Sequence, residues 1–122
     1  MINKKKAEER MIITVGFDRV EEGKELLQTF LVAALAVDME WEDGTKEVAV
    51  LRGRVPVNPS SELKKLVGKK WKPDEMIKLE KFGGETLKQL LDNFWKGIEL
   101  ITEKKKLYGR SFKGFKLTKK TE

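Results

Sequence analysis

The chain begins with ten mostly charged residues and then turns apolar at Met11-Ile-Ile-Thr-Val-Gly-Phe17, a β-branched run that predicts a strand. Asp18 stands where a helix cap would, and Leu27, Phe30, Leu31, Ala34 and Leu35 recur at i, i+3, i+4, i+7 and i+8. That spacing predicts a helix from about Arg19 to Ala36. Every residue from Phe30 to Val37 is apolar, so the second half of this helix is expected to be buried on all sides, as a central core helix or an oligomer interface.

From Val37 to Leu51 the pattern alternates about Asp43-Gly44, the turn pair of a tight β-hairpin. A two-residue loop opposes Trp41 with Lys46, Met39 with Val48 and Val37 with Val50 on one face. The other face then holds Glu40 against Glu47 and Asp38 against Ala49. Opposed carboxylates are unfavourable unless wet, so that face is expected in solvent. The apolar face runs on into Arg52 and Arg54, which makes one end of the sheet basic.

Pro56 and Pro59 end the strand, and Ser60 or Ser61 is placed to cap a short helix to about Val67. Pro73 suits the first turn of another, Asp74 to Phe82, which Gly83-Gly84 breaks. Leu87, Leu90, Leu91, Phe94, Ile98 and Ile101 then form one stripe of a long amphipathic helix from Glu85 to about Leu107. The expected fold class is α+β, an antiparallel sheet of three or four strands packed against helices that include this long C-terminal one. The expected organisation is a basic flexible arm (1–10), one domain (11–107) and a basic aromatic tail (108–122) that doubles as a candidate last strand. At 122 residues one domain is the size expectation.

Charge sharpens this picture at the C-terminus. Residues 103–122 carry seven Lys, one Arg and two Glu, a surplus equal to the net charge of +6 for the whole chain. The remainder is neutral. There is no Cys and no His, which removes disulfides, thiolate chemistry, His general bases and nearly all zinc sites. No apolar run approaches the ~20 residues that span a bilayer, so the expectation is a cytoplasmic protein with no membrane partner. Abundant Lys and Glu with little Asn and Gln match hyperthermophile composition, pointing to a hyperthermophilic archaeon or bacterium or one of their mobile elements.

The tail alternates Lys104, Lys105, Lys106, Arg110, Lys113 and Lys116 with Tyr108, Phe112 and Phe115. Cations neutralise phosphates by releasing counterions, and flat aromatics stack on unpaired bases. The competing readings are a final strand, with Phe115 and Leu117 on its core face, and a merely solubilising end. Trp71, within Lys69-Lys70-Trp71-Lys72, is the best single stacking candidate, and core packing is its alternative. Trp41 facing Lys46 allows a cation–π contact. Trp95 belongs to the core or to an interface.

Other chemistry finds little support. Asp38, Glu40, Glu42, Asp43 and Glu47 spread along one sheet edge and are read as a solvated face, not a cation site. The segment from Gly16 to Lys24 glances at a phosphate loop, but its glycines are too widely spaced and Glu25 replaces the required Ser or Thr. The three serines have no base to activate them, so no enzyme and no cofactor is expected.

The expected function is non-sequence-specific nucleic-acid binding, single-stranded DNA before RNA. Phosphate contacts would come from Arg52, Arg54, Lys69, Lys70, Lys72, Lys104, Lys105, Lys106, Arg110, Lys113 and Lys116, with stacking from Trp71, Phe112 and Phe115. The layout of a small sheet, helices and basic aromatic residues resembles the ThermoDBP-type single-stranded DNA-binding proteins of thermophilic archaea, and no residue role is taken from them. The alternative is an assembly subunit that binds a protein through its last helix. A homodimer is expected under either reading.

Overall fold

The computed structural model describes residues 2–20, 26–58, 65–77 and 85–119. In order these residues form α1 (Lys4–Arg10), β1 (Ile12–Val20), β2 (Leu26–Trp41), β3 (Lys46–Val57), β4 (Lys70–Trp71), α2 (Pro73–Ile77), α3 (Glu85–Glu103), β5 (Lys106–Leu107) and β6 (Arg110–Leu117). The helix expected between Ser60 and Val67 lies largely outside the described residues, as does the far end of the one expected to reach Phe82. The expected α+β balance is overturned. Among the described residues the structure is mostly sheet, with six antiparallel strands in one sheet and three helices, of which only the 19-residue α3 is long.

The largest correction is β2, a 16-residue strand where the apolar spacing predicted a helix. β2 is the centre of the sheet. Along one edge its first part pairs with β1, from Leu26↔Val20 to Ala34↔Ile12, and its last part with β6, from Val37↔Leu117 to Trp41↔Phe112. Along the other edge β3 pairs from Thr29↔Val57 to Glu40↔Lys46. A strand held on both edges has no wet backbone and tolerates apolar residues on both faces. It therefore reads as a continuous run, which periodicity cannot tell from a buried helix.

The odd-numbered face of β2 is the core side. Thr29, Leu31, Ala33, Leu35, Val37 and Trp41 are buried there, beside Ile13 and Val15 of β1 and Val55 of β3. Helix α3 lays Leu87, Leu90 and Phe94 on this face. It comes so close at Gly53 that a Cβ there would sit 3.1 Å from both Cα and Cβ of Phe94. Met76 of α2 joins the same core. The first ten residues, expected as a flexible arm, contain α1, capped by Asn3 and pinned to α3 where Trp95 Nε1 donates to Glu8 Oε1 at 3.2 Å. Its last residue, Arg10, donates to the carbonyl of Thr118 beyond β6.

The hairpin register also differs from expectation. The Asp43 carboxylate accepts from the Thr45 N–H at 2.9 Å and from its hydroxyl at 2.6 Å, and the Trp41 N–H donates to the Thr45 carbonyl at 3.0 Å. The loop is thus Glu42 to Thr45, not Asp43-Gly44 alone, and Glu40 opposes Lys46 while Ala36 opposes Val50. A slip of one residue turns every side chain of β3 over. Ala49, Leu51, Gly53 and Val55 go to the core, and Val48, Val50, Arg52 and Arg54 go to the opposite face.

Candidate nucleic-acid interface

Among the described residues no helix packs on the face of the sheet opposite α3. Register places its side chains in rows. Lys70, Thr14, Val32 and Arg54 lie side by side on β4, β1, β2 and β3, and the next row is Ile12, Ala34 and Arg52. The row on the other side is Gly16, Phe30 and Pro56, with the Arg54 guanidinium 4.7 Å from the Phe30 ring centroid. Three strand spacings separate Lys70 from Arg54, about 14 Å between their backbones. The result is a shallow floor of small and apolar side chains with cations on both flanks. Arg52, Arg54 and Lys70 are all exposed.

The remaining expected site residues do not join this face as a group. Trp71 pairs with Ile13, on the core side, and is half-buried against the core. Lys69 and Lys72 are exposed on either side of β4, and Lys72 Nζ donates to the Glu9 carbonyl at 2.9 Å. Lys104, Lys105 and Lys106 are exposed at the start of a second hairpin.

Phe112 and Phe115 are corrections. Each is only 6 % exposed, because the tail is β6 and its apolar residues close the core. They meet each other edge to face at 4.8 Å between centroids, and Phe112 meets Trp41 at 5.9 Å. Neither has a face to offer a base. Trp41 is covered not by Lys46 but by Arg110, whose guanidinium carbon lies 4.1 Å from the ring centroid. Arg110 also pairs with Asp43 at 3.3 Å and Glu47 at 3.2 Å.

Lys113 and Lys116 are exposed but reach the same buried carboxylate. With Lys46 they surround the Glu40 carboxylate at 4.0, 2.9 and 3.7 Å respectively. Glu40, expected on a wet face opposite Glu47, is 6 % exposed. Its carboxyl is held below the usual carboxylate range, first by the short contact from Lys116 and then by the charges of Lys116, Lys46 and Lys113, against the opposing effect of burial. Asp43 is lowered too, chiefly by the Thr45 hydroxyl and N–H, then by Arg110. Three acidic side chains of the hairpin, Glu40, Asp43 and Glu47, are thus engaged by the tail's own cations.

On the core side, between α1, the last turns of α3 and β6, lies a cleft of about 950 Å³ floored by Trp95, Ile98, Phe115 and Leu117. Its three lysines, Lys4, Lys113 and Lys116, are matched by Glu40, Glu99 and Glu103, so it selects neither anion nor cation. Among the described residues no three His, Cys, Asp or Glu stand together as metal ligands, and no helix is long and apolar enough to cross a membrane.

The sequence reading named Arg52, Arg54 and Lys70 as candidates but not the side chains that lie between them. Thr14, Val32, Ala34 and Phe30 become neighbours of these cations only once Leu26–Trp41 is read as a strand. The β-branched Thr29, Val32 and Val37 are the available signal for that reading. No protein-family model, no curated protein and no solved structure matches the chain, so the site stands on its own geometry.

Proposed function

We propose that the protein binds single-stranded nucleic acid without sequence specificity, DNA in preference to RNA, on the open face of its sheet. The observation that carries the reading is the alignment of Lys70 and Arg54 across Thr14 and Val32, with Arg52 one row along. Cations on both flanks contact the phosphates of a strand laid on the floor between them, and the counterions released drive binding. The floor has few hydrogen-bonding groups with which to read base edges, which supports sequence tolerance. Arg54, over the Phe30 ring, supplies a planar surface on which a base can stack. Titrating isotope-labelled protein with a thymidine oligonucleotide tests the placement. Amide shifts at Thr14, Val32, Ala34, Arg52 and Arg54 are expected, and shifts confined to α3, or none, contradict it.

A second reading, self-association or assembly with another protein, is favoured by the far end of the same face. There Val48 and Val50 are 66 % and 53 % exposed beside the exposed Ala36. Sedimentation tests it. If this patch is a homodimer contact, Val48→Lys with Val50→Lys converts a dimer to a monomer; a wild-type monomer at all concentrations contradicts it.

A further inference from the structure

Tyr108 is the most exposed of the large hydrophobic side chains among those described, 94 % exposed at the tip of the hairpin between β5 and β6. Leu107 pairs with Arg110, so Tyr108 and Gly109 are the whole loop. Both have positive φ, +52° and +76°, the pattern of a tight primed turn. Glycine and asparagine suit the first of these positions, whereas a tyrosine there is strained. Neither backbone preference nor burial therefore accounts for an aromatic at this position.

The surroundings have a definite chemistry. Lys104, Lys105 and Lys106 are exposed just before the tip. Its other side is rigid, because Arg110 is stacked on Trp41 and paired with Asp43 and Glu47 while Phe112 is packed into the core. A flat, wet ring is thus held out on a fixed support, next to three cations. Bases stack on such a ring while the lysines take phosphates, and the fixed support lowers the ordering cost of binding.

We infer that Tyr108 is a base-stacking residue and that the hairpin tip is a second contact for the single strand bound on the sheet face. The inference rests on the nucleic-acid reading above. Tyr108→Asn creates the turn pair that the backbone prefers, so a structural role and a binding role move in opposite directions. The variant is expected to melt at a higher temperature than wild type and to bind a fluorescein-labelled thymidine oligonucleotide roughly five- to one-hundred-fold more weakly, the range of one lost stack. Tyr108→Phe keeps the ring and is expected to keep the affinity. Ultraviolet cross-linking of wild-type protein to an oligonucleotide carrying 5-iodouracil is expected to mark the peptide containing Tyr108.

Unchanged affinity in Tyr108→Asn, while Arg52→Ala with Arg54→Ala weakens binding, overturns the stacking role and leaves the sheet-face reading intact. Equal losses in the Asn and Phe variants overturn stacking as well, because they assign the effect to the hydroxyl. A wild-type protein that binds no single strand at low salt overturns both.

Discussion

Glu40 concentrates three ion pairs on one nearly inaccessible carboxylate, with Lys116, Lys46 and Lys113 around it. Its folded titration point lies below the ordinary 4.5, so its stabilising effect is complete above that value and is lost as pH falls through the lower, folded one. Thermal melts between about pH 3 and pH 7 should therefore fall more steeply on the acid side for wild type than for Glu40→Gln. The variant should also melt lower at neutral pH, where three clustered lysines have lost their counter-charge. Asp43 titrates in the same window, but it is present in both proteins and cancels in the comparison. Parallel profiles would mean that Glu40 is not coupled to its lysines. Thr29 is the opposite case, a fully buried hydroxyl on the core face with no hydrogen-bond partner among the described residues. Thr29→Val keeps the shape and removes the orphan, so denaturant unfolding should show a gain of about 1 kcal/mol. A loss would show that the hydroxyl is satisfied after all.

The elements rest on two close approaches, β2 between its neighbours and α3 over β3. Gly53 is where the helix comes nearest. A methyl there meets the backbone of Phe94, which cannot rotate away, and the helix has to lift off the sheet. Gly53→Ala should cost about 1–3 kcal/mol by denaturant unfolding, and no cost would contradict the contact. These elements also mark what could be read from the chain alone. The long amphipathic helix, the turn at Asp43-Gly44, the β1 strand and the alternative of a last strand through Phe115 and Leu117 were legible, because each depends on neighbours close in sequence. β2 was not, because its apolar run is set by strands that pair with it from both sides. The β3 register was not, because Asp43 with Thr45 makes a longer loop than the Asp-Gly pair implies. With β2 read as a helix, Arg52, Arg54 and Lys70 had no floor between them. With the tail read as a nucleic-acid contact in preference to a last strand, Phe112 and Phe115 were offered to bases that the folded molecule keeps out.

Over the whole molecule, the net charge of +6 is less localised in effect than in sequence. Arg110, Lys113 and Lys116 of the tail are spent on Asp43, Glu47 and Glu40, so the tail ties the sheet together. The cations proposed to meet phosphates are the exposed ones aligned on the sheet face and those before the hairpin tip. Removing Lys113 and Lys116 should therefore change the salt dependence of binding less than removing Arg52, Arg54 and Lys70, although both reduce net charge. If Arg52, Arg54 and Lys70 contact phosphates, the number of ions released on binding depends on them. Anisotropy of a labelled thymidine oligonucleotide over a salt series gives a log–log slope, to which each phosphate contact on a single strand contributes about 0.7. Substituting Arg52, Arg54 and Lys70 together by Ala is expected to lower the magnitude of that slope by about 2 relative to wild type. A slope unchanged by the triple substitution, or a wild-type protein that binds no single strand at low salt, would contradict it.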